Sequence, residues 1–477
     1  MGLVTPVAPV PVGDLGSVHF VAIGGAGMSG IARIMLARGV TVSGSDSAAS
    51  PLLDELAAAG ARVSVGHAAA NLGDADTVVV STAIRPENPE LVEAQRRGLR
   101  VMHRAAALAS VMLGRQGIAV AGTHGKTTTT SMITTVLLHS GAGPSYVIGG
   151  ILAETGLGAA EGSGPAVVVE ADESDGSFLM LAPDAAVVTS VEADHLDNYG
   201  TLAAIEQAFA AFAGRITPGG LLVACADDAG ARALTAAVPP TVTALTYGTT
   251  ADASYQVTEI RARGMRTELT VTGRPGTMLA GAGPVQIEIA VPGRHNALNA
   301  AAAFAMTVQL GVSVADAVAG LAAYRGARRR MELKGEADGV QVIDSYAHHP
   351  TELAADLAAA RDVAAGGRVI AIFQPHLYSR TRIFAAEFGA ALSNADEVLV
   401  LDVYAAREDP EPGVSGRLVS DAVPGRGAMF VPDRAAVPGV IAGLAKPGDL
   451  VLTMGAGDVT GLGPQIVAAL QDRAARL

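Results

Sequence analysis

The chain has 477 residues, half of them hydrophobic, and its 46 acidic and 33 basic side chains give a formal net charge of −13. This acidic balance argues against a nucleic-acid partner, which would require a basic surface, and the single cysteine, Cys225, excludes an internal disulfide framework or a thiolate cluster. No apolar run approaches the roughly 20 residues of a membrane helix, and no signal-peptide pattern opens the chain, so we expect a cytoplasmic protein without membrane insertion.

Short β-branched runs alternate with Ala- and Leu-rich helical stretches along the chain, which is typical of βαβ units and largely parallel sheets. The length predicts about three domains. Alternating Val, Thr and Ile residues over 240–290 predict an antiparallel β insertion in the middle domain. We therefore expect a flexible, Pro-rich lead-in and three α/β domains, bounded as 1–16, 17–113, 114–326 and 327–477.

The first motif is a glycine-rich loop that follows the predicted strand SVHFVAI and fits G-x-G-x-x-G. Glycines let the backbone approach a diphosphate, which then lies at the positive N-terminus of a helix. Asp46 lies sixteen residues after Gly30, near the place where an acidic side chain meets a ribose. The pattern alone is compatible with NAD, with another diphosphate ligand, or with a turn that binds nothing. The candidate ligand-binding residues are Gly25, Ala26, Gly27, Met28, Ser29, Gly30 and Asp46.

The second motif is a phosphate-binding loop directly after the strand IAVA. The strict pattern G-x-x-x-x-G-K-[ST] fails because its first glycine would fall at Val120. The functional parts are nevertheless present, since Lys126 can reach the β- and γ-phosphates of ATP and the Thr127 hydroxyl can bind Mg²⁺. The candidate ATP-binding residues of this loop are Gly122, Thr123, His124, Gly125, Lys126, Thr127 and Thr128.

Two acidic strand ends follow the phosphate loop, in AVVVEADESD at 166–175 and VVTSVEADHLD at 187–197. Carboxylates such as Glu170 suit a hard cation that prefers oxygen ligands. Acidic strand ends are also common on ordinary protein surfaces, but two of them after a phosphate loop favour a metal site. Chemistry alone does not select His195 as a ligand of Mg²⁺.

These motifs resemble the Mur ligase family. GTHGKTT, EADESD and EADHLD occur in the order found in its central domain, and two later segments, at 293–299 and 344–350, resemble its G-x-H-N-x-x-N and D-x-A-H-x-P signatures. GARRRMEL near 326–333 resembles the basic hinge before the third domain. The resemblance implies an N-terminal Rossmann-like domain, a central P-loop ATPase-type domain, and a C-terminal Rossmann-like domain.

The resemblance also implies an ATP- and Mg²⁺-dependent amide-forming ligase that activates a carboxylate as an acyl phosphate. The segments IGGAGMSG and QPHLYSRTR are similar to family members that add L-alanine to UDP-N-acetylmuramate. Members that add later residues carry a carbamylated lysine fourteen positions after the histidine matching His195, and here that position is Phe209. The nearest rival is the recycling ligase that adds a whole tripeptide. In this family the first glycine-rich loop holds a UDP-sugar, not NAD.

The implied roles can be assigned residue by residue. Lys126 binds the ATP phosphates; Thr127, Glu170 and His195 bind metal. The implied nucleotide contacts outside the phosphate loop are His295, Asn296, Asn299 and Arg330. The residues implied to bind L-alanine or to stabilise the tetrahedral intermediate are Asp344, His348 and Arg380. The further candidates for contact with the UDP-sugar are His67, His103 and Arg104.

Several of these assignments have ordinary structural alternatives. His195 can be a hydrogen-bonded core histidine, Asn296 can cap a helix, and the arginines at 329 and 330 can be solvated hinge charges. The sequence does not choose between Arg380 and Arg382 as the partner of the alanine carboxylate.

Three other functions remain open on the motifs alone. An NAD-dependent oxidoreductase explains the first loop but leaves the phosphate loop and EADESD without a role. A nucleotide-switched binding protein would hydrolyse ATP independently of any carboxylic acid. A different amide ligase on the same scaffold would use another acceptor. The oligomeric state is not accessible from the sequence.

Overall fold

The computed structural model describes residues 3–406, 408–425 and 427–476; the side chains of Ala26 and Asp197 lie outside this description. The described chain divides into two compact units. The first comprises residues up to 258 together with 270–286 and 298–324, and the second comprises 259–269, 287–297 and 325 onward. Within the described residues, none of the helices combines the length and apolarity that crossing a bilayer requires.

The N-terminal elements form a five-stranded parallel sheet with the order β3-β2-β1-β4-β5. Two of its helices begin at a side-chain cap followed by proline, because Ser50 and Asn88 accept hydrogen bonds from backbone N–H groups of the first turn. The elements are β1 (Val18–Val21), α1 (Ala26–Ala37), β2 (Val42–Asp46), α2 (Pro51–Ala58), β3 (Arg62–Val65), β4 (Thr77–Val80), α3 (Pro89–Arg96), β5 (Arg100–His103) and α4 (Arg104–Met112).

The middle elements form a ten-stranded sheet with the order β15-β14-β13-β12-β11-β10-β6-β9-β7-β8. The elements are β6 (Gln116–Ala121), α5 (Lys126–His139), β7 (Ser145–Val147), β8 (Ala159–Ala160), β9 (Ala166–Glu170), β10 (Ala185–Val188), α6 (Leu196–Tyr199), α7 (Leu202–Ala213), β11 (Leu221–Cys225), α8 (Ala229–Ala233), β12 (Thr243–Gly248), β13 (Tyr255–Arg263), β14 (Arg266–Gly273), β15 (Val285–Ile289), α9 (Arg294–Gln309) and α10 (Val314–Ala323).

The C-terminal elements form a six-stranded sheet with the order β16-β17-β21-β18-β19-β20, parallel except for the β16–β17 pair. Along β18, alternate residues enter two different apolar clusters, so both faces of this sheet are covered. The elements are β16 (Glu332–Ala337), β17 (Val340–Ser345), α11 (Pro350–Ala364), β18 (Val369–Phe373), α12 (Tyr378–Leu392), β19 (Glu397–Val400), α13 (Gly416–Ala422), β20 (Met429–Phe430), α14 (Val437–Leu444), β21 (Leu450–Met454) and α15 (Leu462–Ala474).

The prediction of an α/β protein with largely parallel sheets is confirmed. The strands of 240–290 lie at one edge of the ten-stranded sheet, where β14 lies beside β13 and follows it after a two-residue connection, so these two strands run antiparallel as predicted. The first strand of this region, β12, differs, because it pairs in parallel with both β11 and β13. Half-buried edge strands show the same alternation whether their neighbours are parallel or antiparallel, so the pattern identified β12 but not its pairing.

The lead-in, which we predict to be flexible, makes several contacts with the rest of the first unit. The backbone N–H of Val4 donates to the carbonyl of Asp175 at 2.9 Å, and that of Val10 donates to Ser110 Oγ at 3.3 Å. Leu15 is fully buried. Prolines remove donors from this segment, but the intervening residues keep theirs and use them against the first unit. Residues 1 and 2 lie outside the described residues.

An aromatic cluster joins α7 to the segment that follows the acidic strand end of β9. The Phe178 ring stacks on Phe212 at 5.0 Å between centroids and meets Phe209 edge-on at 5.3 Å. All three side chains are fully buried. Phe209 thus serves as core at the position where a carbamylated lysine would have to reach a metal.

We expect Phe212→Ala to lower the free energy of unfolding of the first unit by about 3–5 kcal/mol, because it opens a cavity in a fully packed cluster. Leu202→Ala, on the exposed end of the same helix, is the matched control and should change it by less than about 0.5 kcal/mol. Chemical denaturation followed by circular dichroism measures both. Equal losses for the two variants would show that the cluster does not support the unit.

Candidate active site

The phosphate loop connects β6 to α5 in the first unit. Gly122 and Gly125 have φ values of 134° and 79°, which L side chains rarely adopt. A Cβ at Gly122 would lie 2.0 Å from Thr189 Oγ1, and one at Gly125 would lie 2.6 Å from Asn299 Oδ1. Only glycine therefore fits at these two positions, and the helix that follows directs its N-terminal N–H groups toward the loop.

Lys126 is held inside this loop. Its ammonium donates to the Gly122 carbonyl at 2.6 Å, to the Thr123 carbonyl at 3.2 Å and to Glu173 Oε1 at 2.9 Å. Burial opposes its charge, but the carboxylates of Glu173, Glu170 and Asp172 outweigh burial and raise the pKa of Lys126.

The carboxylates outnumber this lysine. Burial raises the pKa of Glu173, and Asp172 adds to that effect, against the opposing influence of Lys126. Burial opposes the charge of Asp172 as well, but Arg104 and Lys126 hold the pKa of Asp172 well below its usual range. The surplus of negative charge suits a site that receives a cation.

Thr127 and Glu170 are in direct contact at the start of α5 and the end of β9. The Thr127 hydroxyl donates to Glu170 Oε2 at 2.9 Å, and the same oxygen accepts from Gly149 N at 3.0 Å. A hydroxyl and a carboxylate at this distance match the oxygen donors that Mg²⁺ prefers. His195 has a left-handed backbone (φ 52°), and its Nε2 lies 3.7 Å from Glu173. The structure thus brings His195 to the same acidic cluster through Glu173.

The nucleotide contacts predicted downstream fall into two groups. Asn299 reaches the phosphate loop, where its Oδ1 accepts from the Thr129 hydroxyl at 3.2 Å. His295 and Asn296 belong to the second unit. There His295 Nε2 lies 3.4 Å from Asp356, and burial lowers the pKa of His295. Asn296 Nδ2 donates to the Pro292 carbonyl at 2.7 Å, so this side chain is a donor inside the first turn and not a cap.

The glycine-rich loop of the N-terminal sheet lies at the start of α1, as predicted. Gly24 N donates to Asp46 Oδ2 at 2.9 Å, which ties the loop to the end of β2. A cavity of about 280 Å³ in the first unit is lined by Gly25, Gly27, Arg104 and Glu170, among others. The predicted diphosphate loop and the predicted metal carboxylate therefore face one space.

The second unit gathers the other predicted residues at the ends of its strands. Asp344 is fully buried and accepts from Thr453 and Thr460 hydroxyls at 2.7 and 2.6 Å, with Arg329 Nε 3.5 Å away. This enclosure favours a positioning role for Asp344. Arg330 lies over the Tyr346 ring at 5.1 Å, so it is not a freely solvated hinge charge.

His348 lies among aromatic groups that the sequence analysis did not select. Its ring contacts Tyr346 at 5.3 Å and His376 at 6.1 Å between centroids, and His376 stacks on Tyr404. Its Nδ1 is 3.3 Å from Glu352. Tyr346 and His376 stand inside the two motifs already noted, and only their position beside known motif residues could have identified them.

Comparison with known proteins agrees with this geometry. Residues 17–116 match the Mur ligase family, catalytic domain; 120–307 match the Mur ligase middle domain; and 329–457 match the Mur ligase, glutamate ligase domain. The UDP-N-acetylmuramate–L-alanine ligase of Thermobifida fusca is 58% identical, over 98% of this chain and 100% of that protein. The chain belongs to the Mur ligase family.

Two solved structures share the whole fold. UDP-N-acetylmuramate-alanine ligase MurC from Thermotoga maritima is 30% identical with a TM-score of 0.80, over 96% of this chain and 99% of that one. A murein peptide ligase from Psychrobacter arcticus is 26% identical with a TM-score of 0.70, over the same shares of the two chains. The predicted family resemblance and three-domain architecture are thereby confirmed.

The buried Lys126–Glu173 pair predicts a pH-dependent loss of stability. In Lys126→Met, Glu173 loses its cation, so its folded-state pKa rises further above the unfolded value. When the pKa of a carboxyl group is higher in the folded than in the unfolded state, its contribution to stability is fully present at pH values below the unfolded-state pKa. That contribution is lost as the pH rises through the folded-state pKa. We expect a deficit of about 3–5 kcal/mol in unfolding free energy at pH 8 and a smaller one at pH 5.

Denaturant titrations at the two pH values measure this effect, with Lys126→Met/Glu173→Gln as the control. The double variant has no titrating carboxyl at this position, so its deficit should not change between pH 5 and pH 8. A Lys126→Met deficit that is the same at both values would contradict the pairing.

Proposed function

We propose that the protein joins L-alanine to the lactyl carboxylate of UDP-N-acetylmuramate, with ATP cleaved to ADP and phosphate, in peptidoglycan precursor synthesis. The names of the Thermobifida fusca relative and of the Thermotoga maritima structure support this substrate pair. Both nucleotides are cytoplasmic metabolites, so we place the reaction in the cytoplasm.

One observation supports the proposal most directly. The cavity that begins at Gly25 and Gly27 extends to Glu170, and Glu170 contacts Thr127 of the phosphate loop. A diphosphate bound at the glycine-rich loop would therefore hold its attached sugar in the same space as the phosphate loop. This is the arrangement that transfer from ATP to a carboxylate on that sugar requires.

The first step forms the acyl phosphate. A lactyl carboxylate oxygen attacks the γ-phosphorus, the bond between that phosphorus and the bridging oxygen breaks, and ADP leaves with the electron pair. Such a transfer needs alignment and charge neutralisation more than covalent participation by the protein. Lys126 supplies a positive charge at the β- and γ-phosphates once it exchanges Glu173 for phosphate oxygens, and the N–H groups of loop 122–128 bind the remaining oxygens.

The residues at the phosphate loop fit Mg²⁺. Thr127 and Glu170 offer adjacent oxygen donors, and the surrounding carboxylates exceed the nearby cations. Bound there, Mg²⁺ would neutralise phosphate charge in the reaction. We keep His195 as a candidate ligand on the basis of its contact with Glu173.

The second step forms the amide bond. The amine nitrogen of L-alanine attacks the acyl carbon, the bond from that carbon to the phosphate oxygen breaks, and phosphate leaves while the nitrogen loses a proton. We assign recognition of L-alanine to the second unit, with Arg380 for its carboxylate and His348 near the reacting centre. Asp344 contributes by positioning Arg329.

A second candidate is the ligase that attaches a tripeptide to the same UDP-sugar, because the Psychrobacter arcticus structure is a murein peptide ligase. Phosphate release from ATP and Mg²⁺ with UDP-N-acetylmuramate distinguishes the two. We expect release to require L-alanine and to yield the matching amide by mass spectrometry. Release that ignores L-alanine but requires L-alanyl-γ-D-glutamyl-meso-diaminopimelate would assign the second activity. Release that is independent of the UDP-sugar would refute both.

The two arginines that the sequence left open differ in their surroundings. Arg380 is buried in the first turn of α12, whereas the Arg382 side chain is about half exposed and pairs with Glu411. A buried guanidinium can bind a carboxylate through two parallel hydrogen bonds, which lysine cannot reproduce. Arg380→Lys should therefore raise the KM for L-alanine about 10- to 100-fold.

Initial rates at saturating ATP and UDP-N-acetylmuramate measure this change, and Arg382→Lys is the matched control. We expect Arg382→Lys to stay within about twofold of the unmodified protein, as surface pairs contribute little. A larger change in KM for Arg382→Lys than for Arg380→Lys would reverse the assignment.

A further inference from the structure

The N-terminal sheet contains a buried carboxylate to which no role has been assigned. Glu90 lies in the first turn of α3 and its side chain is fully buried. Its Oε1 accepts from Ala68 N at 3.2 Å and from Asn71 Nδ2 at 2.6 Å, and its Oε2 accepts from Ser45 Oγ at 2.6 Å. A carboxylate in the core that draws in this many donors organises the groups around it.

Glu90 is ionised, because its surroundings favour the charged form. Burial alone would raise its pKa, but His19, whose Nε2 lies 3.5 Å from Oε2, and the hydrogen bonds from Ser45 and Asn71 together lower the pKa of Glu90 to about 2. An ionised carboxylate only accepts hydrogen bonds. The Ser45 hydroxyl must therefore donate its one hydrogen to Glu90.

This donation determines what Ser45 can offer to its other neighbour. Ser45 Oγ lies 2.9 Å from His67 Nδ1. With its hydrogen committed to Glu90, Ser45 can only accept there, so the proton of a neutral His67 ring is on Nδ1. The 3.5 Å separation between His67 Nδ1 and Glu90 Oε2 agrees with the same tautomer, because an Nδ1–H is favourable beside a carboxylate. His67 Nε2 then carries a lone pair and is a hydrogen-bond acceptor.

His67 stands where a ligand of this sheet would bind. Gly66 N donates to the carbonyl of Asp46 at 2.7 Å, and the Asp46 side chain holds Gly24 of the glycine-rich loop. His67 therefore follows the carboxyl end of β3, at the edge where open α/β sheets bind nucleotides. Its side chain is 23% exposed, and Nε2 has no hydrogen bond to any other described residue.

We propose that Glu90 is a positioning residue that acts through Ser45 to hold His67 as a hydrogen-bond acceptor for the nucleoside of the UDP-sugar. The donor on the ligand is the uracil N3–H or a ribose hydroxyl. The inference rests on the proposed function, since it assumes that a uridine nucleotide binds at this sheet. It differs from a purely structural role, in which Glu90 would only tie β2 to the loop at residues 66–71.

Glu90→Gln tests this relay, the chain of hydrogen bonds from Glu90 through Ser45 to His67. The substitution preserves the shape of the side chain at position 90 but replaces the acceptor that faces Ser45 with a donor. The amide oxygen keeps the donors Ala68 and Asn71, so the amide NH₂ faces Ser45. Ser45 must then accept from position 90 and donate to His67 Nδ1, which moves the His67 proton to Nε2. His67 Nε2 then donates instead of accepting, and it faces the hydrogen-bond donor of the ligand.

Two measurements at pH 8.5, above the range in which imidazole ordinarily titrates, report the result. Calorimetric titration with UDP should show a Kd about 10-fold higher for Glu90→Gln, the scale of one hydrogen bond. Nitrogen-15 spectra of histidine-labelled protein should show His67 protonated on Nε2. Glu93→Gln is the matched control, on the same helix but paired with Arg96 at the surface, and should leave both unchanged.

The double variant separates the relay from a structural effect. If Glu90 acts through His67, His67→Ala and Glu90→Gln/His67→Ala should bind UDP equally. In the His67→Ala background the hydrogen bond from the ligand to His67 is already absent, so Glu90→Gln cannot weaken it further. If Glu90 only supports the fold, its effect will persist in the His67→Ala background and the proposal is overturned. Unchanged UDP binding or an unchanged tautomer in Glu90→Gln overturns it as well.

Nucleotide analogues identify the donor. With the unmodified protein, N3-methyl-UDP, 2′-deoxy-UDP and 3′-deoxy-UDP each lack one candidate group. The analogue that lacks the true donor should bind about 10-fold more weakly than UDP, and this penalty should vanish in Glu90→Gln. Equal binding of all analogues would overturn this inference but would leave the proposed function standing. Failure of the unmodified protein to bind UDP at all would instead refute the proposed function.

Discussion

The first unit's site depends on the imbalance between one buried lysine and the carboxylates around it. Lys126 is hydrogen-bonded to Glu173 and lies near Glu170 and Asp172, and Arg104 supplies a second cation to this group through Asp172. Because a negative surplus in a partly dry site is unfavourable, the cluster gains stability from any added positive charge. This need explains why the acidic strand end and the phosphate loop occur together.

The same imbalance limits how phosphate can enter. The Lys126 ammonium already uses its three hydrogens on two loop carbonyls and Glu173. A phosphate oxygen must therefore displace Glu173 or a carbonyl, and the displaced carboxylate needs a new partner. His195, 3.7 Å from Glu173, is the nearest basic group available to it. His195 would then stabilise the charge of the displaced Glu173 carboxylate, in addition to any role as a metal ligand.

Local patterns made much of this site predictable, whereas long-range pairing was not. The strand, loop and helix around Lys126 follow from a short apolar run, two glycines and a threonine-rich helix, all within residues 116–139. The partner of Lys126 lies forty-seven positions away, and EADESD offers four carboxylates with nothing in the pattern to select Glu173. Pairing of β12 with β11 and β13 was hidden for the same reason: a strand's alternation reports burial, not its neighbour.

The two buried glutamates of the first unit show how similar side chains acquire opposite properties. Glu173 shares its surroundings with Asp172, so like charge adds to burial and the pKa of Glu173 rises. Glu90 has mainly neutral donors around it, and its pKa falls to about 2. A carboxylate that lies beside other carboxylates, such as Glu173, changes its partner easily when a charged ligand binds. A carboxylate fixed by hydrogen bonds from neutral groups, such as Glu90, keeps its position and its charge. The reacting end of the cavity is therefore adaptable, while the nucleoside end is rigid.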